Sequence, residues 1–358
     1  VRKEWQFDPI NFNRPEFVMD MLKSSFIAML ATLFCIWLLR PLACRLGLVD
    51  SPGGRKVHVD DIPLIGGIAM FFGFCFALLF LNMSLLPYRG LLAGAALLVL
   101  IGVVDDFKEL SSKTRLVGQL LAALFLIAWG GKIVHDLGNL VFIGSINLGA
   151  WAMPFTVFIV MGYLNSMNMI DGQDGLAGGI ALTQTLCLMY LSHSIGNQVD
   201  VKVLLLLAAL LCVFLAFNLR LPWRRHASIF MGDAGVTFVA FVIAWFAIDL
   251  AQSGRGHITP VTILWVLAFP VYDLINVMLY RWQQGRSLFQ AGRDHVHHVL
   301  HVLGVDASLS TLLLCLYSLT LGVIGIAAKA AAVPESWQFI AWLASLTLYL
   351  SVIKIVRE

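Results

Sequence analysis

Eleven largely apolar stretches, most of them about the length of a membrane crossing, occupy nearly the whole chain, and the charges fall between them. A helix needs about 20 apolar residues to cross a hydrocarbon layer about 30 Å thick. The stretches are 24–46, 64–86, 90–105, 115–131, 151–170, 175–193, 202–219, 234–251, 258–281, 310–329 and 336–355. Lipid offers backbone groups no hydrogen-bond partners, so helix is the expected state of each. Composition agrees: 59% of residues are hydrophobic and 13% charged, against about 25% charged in soluble domains. No interval between the runs reaches the roughly 100 residues of a separate soluble domain. The expected fold is therefore all-α and polytopic, with one transmembrane domain over 24–358. Residues 1–23 carry Trp5, Phe7, Phe12 and Phe17 among charges of both signs, which suits a periplasmic interfacial segment. The first apolar run is too long for a signal peptide and lacks its cleavage site. Cys35, Cys44, Cys75, Cys187, Cys212 and Cys315 lie in or beside apolar runs without CxxC spacing, as buried small hydrophobes do.

Lysines and arginines set the orientation. With the N-terminus outside and the C-terminus inside, fifteen of them fall on inside segments and nine outside, four of those nine in the N-terminal tail. The inside loops are then 47–63, 105–114, 171–175, 219–233 and 282–309. The outside segment 132–150 alternates apolar residues around Gly and Asn and predicts a small external β-hairpin. No internal repeat is evident, which disfavours inverted-repeat transporter folds.

Ionisable groups at membrane depth are costly and mark function. Span parity puts four such groups on the inside. Asp105-Asp106 closes the third span, either as a helix-ending pair matched by Lys108, Lys113 and Arg115, or as a metal ligand or general base. Asp171 and Asp174, in NMIDGQDGL, share a tight Gly-containing turn below Asn165 and Asn168. Asp233, in FMGDAG, opens the eighth span, either as an N-cap or as a hard oxygen ligand for Mg²⁺ beside amides that favour phosphate. His295, His297, His298 and His301 follow Arg293. Zinc is disfavoured there, because no cysteine is near and the acids elsewhere are hard ligands; diphosphate contact fits better. Asp273, about 12 Å deep if that span is helical, is either a buried helix–helix hydrogen bond or a substrate contact. Together these groups suit Mg²⁺-assisted phosphoryl transfer between a cytoplasmic anion and a bilayer substrate.

The stretches LGLVDSPGGRKVHVDDIPLIGG (46–67), VVDDF (103–107), NSMNMIDGQDGLAGG (165–179), FNLR with IFMGDAG (217–235) and RDHVHHVL (293–300) resemble the polyprenyl-phosphate N-acetylhexosamine-1-phosphate transferase superfamily, in its WecA-type branch. The resemblance runs from about residue 40 to 300, in order and at fitting spacing. It implies transfer of GlcNAc-1-phosphate from UDP-GlcNAc to undecaprenyl phosphate, with release of UMP, at the cytoplasmic face of a bacterial inner membrane. It implies Mg²⁺, with Mn²⁺ as a substitute, on Asp233 with Asp105. Asp105, Asp106, Asp171 and Asp174 are the expected catalytic acids. Asp50, Lys113, Arg115, Asn168, Asn218, Asp273, Arg293, His295, His297 and His298 are the expected substrate contacts. A homodimer is compatible with the superfamily, and nucleic acid is not an expected partner. Three departures stand out: Val296 between the histidines, an insertion in LRLPWRRHAS (219–228) relative to the MraY-type pattern, and Val236 where Ser is frequent.

Two other readings compete. A sibling enzyme would use another UDP-HexNAc or UDP-MurNAc-pentapeptide as donor. An ion-coupled transporter would spread its acids through the bilayer rather than gather them on one face. A CDP-alcohol phosphotransferase needs Arg after DGxxA, where this chain reads DGLAGG.

Overall fold

The computed structural model describes residues 15–51, 61–81, 83–221, 223–224, 226–254, 258–287, 292 and 294–357. Thirteen helices appear among them. They are α1 (Pro15–Leu46), α2 (Gly66–Leu78), α3 (Arg89–Lys108), α4 (Ser112–Ala128), α5 (Ala152–Ile170), α6 (Leu176–Ser194), α7 (Gln198–Asn218), α8 (Gly232–Gln252), α9 (Pro260–Val266), α10 (Ala268–Gln283), α11 (Val296–Val302), α12 (Ala307–Ala330) and α13 (Glu335–Arg357). Each of the eleven apolar stretches is helical, and the first helix begins earlier than expected, at Pro15. Among the described residues, seven helices are long and apolar enough to cross a membrane. The eighth candidate is α9 with α10, which meet at 74°. Pro270 explains that break, because it lacks an N–H and its ring crowds the carbonyl four residues back, at Val266. At 13 residues, α2 is about 20 Å long, shorter than the stretch expected at 64–86.

Helix α8 is the axis of the molecule and is buried along nearly its whole length. Small residues bring its neighbours onto its backbone. A Cβ on Gly67 of α2 would fall 2.2 Å from the Cα of Gly235, and one on Gly102 of α3 would fall 2.3 Å from the Cα of Ala234. Such approach is possible only without side chains, and it brings the C-terminal end of α3 against the N-terminal end of α8. Phe71 and Phe74 of α2 pack edge-on against Phe238 of α8.

Two short strands, β1 (Val49–Asp50) and β2 (Ile62–Pro63), pair antiparallel. The chain after β2 is stitched to the entry of α8: Phe230 N–H donates to Pro63 O, Gly66 N–H to Phe230 O and Gly67 N–H to Met231 O. The hairpin expected at 132–150 is not a ladder. It closes on a single bridge, Asp136 with Asn147, with backbone bonds from Leu137 N–H to Ile146 O, Ile146 N–H to Gly138 O and Leu148 N–H to His135 O, and other amides go to side chains. Gln252 accepts from His135 and Asp136, and Glu335 accepts from Asn139.

At that same end a polar cluster ties four elements. Tyr88, just before α3, donates to Asp200 of α7 at 2.9 Å, and Asn197 donates to it at 2.5 Å. Asp249 of α8 lies beside Asp200. Lys132, after α4, pairs with Asp249 and sits 5.4 Å above the Trp245 ring.

Candidate active site

The other ends of the helices hold the acids. Helix α3 ends in Asp105-Asp106, and α8 starts at Gly232-Asp233. The backbone N–H of Asp233 donates to Asp106 Oδ1 at 2.9 Å. Gly232 makes this possible: its φ is 69°, and a Cβ there would strike Asp106 Oδ2 at 2.4 Å. Asp106 Oδ2 is buried with no hydrogen-bond partner among the described residues. Asp105 accepts from Leu110 N–H at 2.6 Å and lies 3.1 Å from Arg115 Nε. Arg115 also reaches within 3.6 Å of Asp233 Oδ2, and Asn168 Nδ2 donates to Asp233 Oδ1 at 2.6 Å. Asp105 and Asp233 are close enough to act directly on one another.

These side chains surround a cavity of about 40 Å³ lined by Gly102, Asp105, Arg115, Asn168, Asp233 and Gln119, enough for an ion or a water. Two carboxylates with one guanidinium between them form an anionic mouth. Gln119 was not legible as a site residue, although a glutamine one turn after Arg115 in an apolar helix was the signal available. It exchanges hydrogen bonds with Asn165.

The turn between α5 and α6 adds Asp171 and Asp174. Asp171 keeps an open face. Desolvation by the surrounding protein, then the charges of Asp233 and Asp174, push its pKa up to about 7. Asp174 faces away from the cavity: it accepts from Arg220 Nε at 2.8 Å and from Ala227 N–H at 3.3 Å. Asn218, expected to contact substrate, braces the protein here. Its Oδ1 accepts from Gly175 N–H at 2.7 Å and its Nδ2 donates to Ile229 O at 2.9 Å, so its amide is consumed in joining the 171–175 turn to the approach to α8.

The histidine segment packs on this turn. An ideal Cβ on Gly172 would lie 2.8 Å from His297 Nε2. His297 is 1% exposed, and neither ring nitrogen has a hydrogen-bond partner among the described residues. Burial, then the neighbouring His298, push its pKa down to about 3, so it is a neutral imidazole. His298 stacks obliquely on it at 4.1 Å. His295 is held by Asp273, Nδ1 to Oδ2, at 2.7 Å. Asp273 is 1% exposed and also accepts from Val296 N–H and Tyr349 OH. Both carboxylate oxygens are engaged by protein, which matches the buried hydrogen bond, one of the two readings of this residue. Gln173 donates to Ala307 O and Thr311 Oγ1, which ties the turn to α12. Lys113 stands exposed in the first turn of α4, Asp50 sits in β1, and Arg293 lies outside the described residues.

The sequence profile of glycosyl transferase family 4 matches residues 88–251. The chain is 34% identical over 306 residues to the undecaprenyl-phosphate alpha-N-acetylglucosaminyl 1-phosphate transferase of Yersinia pestis, covering 86% of this chain and 84% of that protein. The chain belongs to glycosyl transferase family 4. Further relatives of the same name come from Escherichia coli K12, 33% identical over 326 residues (90% of this chain, 88% of the relative), and Haemophilus influenzae, 33% over 328 (91% and 92%). The expected kinship with polyprenyl-phosphate N-acetylhexosamine-1-phosphate transferases is borne out. The family-4 segment contains Asp105, Asp106, Asn168, Asp171, Asp174 and Asp233. The histidine segment lies beyond it.

Proposed function

We propose that this family-4 chain transfers GlcNAc-1-phosphate from UDP-GlcNAc to undecaprenyl phosphate and releases UMP. The observation that carries the reading is the convergence of Asp105 and Asp233, from helices α3 and α8, on one small anionic cavity with Arg115 and Asn168. The names of the relatives support the acceptor and the transferred group. On the eleven-span reading, the lysine and arginine bias supports an N-terminus outside and this cavity at the cytoplasmic face of the inner membrane.

The donor set suits Mg²⁺. No three acidic, His or Cys residues form a ready-made metal cage among the described residues. Mg²⁺ commonly takes one or two carboxylates and completes its shell with water and substrate phosphate. Asp105 and Asp233 would hold it, and Mn²⁺ would substitute. When bound, the ion supplies charge neutralisation at the diphosphate.

An oxygen of the lipid phosphate attacks the β-phosphorus of the donor. A new P–O bond forms, the bond from the β-phosphorus to the bridging oxygen breaks, and that oxygen leaves on the α-phosphorus as part of UMP. Arg115, His298 and the neutral imidazole of His297 orient the diphosphate and stabilise charge as the bond shifts. Asp105 is placed to accept a proton from the lipid phosphate, although with a second pKa of about 6 that phosphate is largely ionised at neutral pH. The sugar C1–O bond is untouched, so the product keeps the α configuration.

The test is the nucleotide released when detergent-purified protein meets UDP-GlcNAc, Mg²⁺ and undecaprenyl phosphate. UMP is expected, whereas UDP or a β-linked product would refute the reaction. Trapping a labelled sugar phosphate on the protein without acceptor would replace direct attack by a covalent intermediate.

A further inference from the structure

Asp273 is a carboxylate sealed inside the protein and used up by three donors, two from the start of α11 and one from α13. His295 Nδ1 meets Oδ2 at 2.7 Å, while Val296 N–H and Tyr349 OH donate to Oδ1 at 3.1 and 3.0 Å. Asp273 belongs to α10, Val296 opens α11, and Tyr349 lies on α13, 76 residues along the chain. A second set of contacts runs parallel to the first. Arg281 of α10 pairs with Asp294 at 3.0 Å, and Arg357 of α13 donates to the Asp294 carbonyl while stacking over Tyr280 at 4.3 Å. The start of the histidine segment is thus gripped between α10 and α13. Its next imidazole is His297, whose ring lies parallel to His295 at 5.8 Å and whose buried nitrogens have no hydrogen-bond partner among the described residues, beside Gly172.

We propose that Asp273 and Tyr349 are positioning residues that clamp the first turn of α11, so that His297 and His298 are presented to the donor diphosphate in a fixed pose. The inference rests on the proposed reaction for the identity of the ligand, and it gives α13 a part in donor binding without touching the donor. A carboxylate beside a histidine Nδ1 fixes which ring nitrogen carries the hydrogen and how the ring is turned. Tyr349 fixes the carboxylate in turn. Its own ring is held independently by Phe269, Tyr272 and Tyr317, so Tyr349→Phe removes one donor and leaves the packing.

The test compares wild-type protein with Tyr349→Phe, Asp273→Asn and the double variant in detergent, by steady-state kinetics and by calorimetric titration with UDP. For Tyr349→Phe, the donor KM and the UDP Kd are expected to rise about tenfold, as loss of one hydrogen bond to a charged group would give. The acceptor KM and kcat should stay near wild type. The double variant should lose no more than Asp273→Asn alone, because the tyrosine acts through the aspartate. An unchanged donor KM and UDP Kd in Tyr349→Phe would overturn the clamp, as would losses that multiply in the double variant. If Asp273→Asn does not fold, Tyr349→Phe decides alone. Wild-type protein that binds UDP but releases no UMP would sink the proposed reaction and leave the clamp to the titration; wild-type protein that binds no UDP would overturn both.

Discussion

Asp233 is restrained at three atoms: its N–H by Asp106, Oδ1 by Asn168, and Oδ2 near Arg115. Replacing it with Asn keeps the shape and removes the charge, so Asp233→Asn should leave less than about a thousandth of wild-type turnover in the UMP-release assay, a loss of about 4 kcal/mol. Asn168→Ala deletes a donor to that carboxylate and should cost about 10- to 100-fold in kcat, with donor KM changing less. His297 yields a pH prediction. Its pKa falls from 6.5 to about 3 on folding, so the unfolded chain binds more protons in between, and stability contributed by the neutral ring is lost as pH drops below 6.5. The melting temperature of wild type should therefore fall between pH 7 and pH 5 more steeply than that of His297→Gln. Asp105, Asp106, Asp171, Asp233 and Asn168 were legible in sequence because hard polar groups stand out in apolar surroundings. Asn218 and Asp273 were equally conspicuous, but a sequence gives residue type and depth, not which neighbour consumes the side chain. Both turned out to serve the backbone of the site.

At the scale of elements, the ends of helices do the placing. Gly102 and Gly67 let α3 and α2 press on the first turn of α8, and that contact sets the spacing of Asp105 from Asp233. Gly102→Val should force the two helices apart, destabilise the protein by about 1–3 kcal/mol and lower kcat by more than tenfold. A thermal melt beside the activity assay separates the two effects. Helix existence was readable from apolar length alone. Helix continuity was not: the 74° break between α9 and α10 turns on Pro270 within an otherwise apolar run. The external segment folds back on itself through one bridge and a few backbone bonds rather than a regular ladder. Gln252 and Glu335, distant in sequence, take the neighbouring amides of His135, Asp136 and Asn139, which alternation alone could not foretell.

Across the whole molecule, the acids that converge on the cavity occupy one end of the helices and the Tyr88–Asp200–Asp249–Lys132 cluster the other. Lys132→Met would leave two neighbouring acids facing each other without their cation, and should cost about 2 kcal/mol of stability. Adding Asp249→Asn should recover most of the loss in a thermal melt. Chelation with EDTA should abolish transfer, and Mg²⁺ should restore it.

The cluster at the far end has a kinetic corollary. It holds α3 and α8 in register where they are remotest from the chemistry, while close backbone packing holds them where they are nearest. Two helices pinned at both extremities cannot slide or rock, so the pair carrying Asp105, Asp106 and Asp233 acts as a stator. Whatever rearrangement admits a nucleotide sugar and lets UMP escape then falls to elements other than α3 and α8.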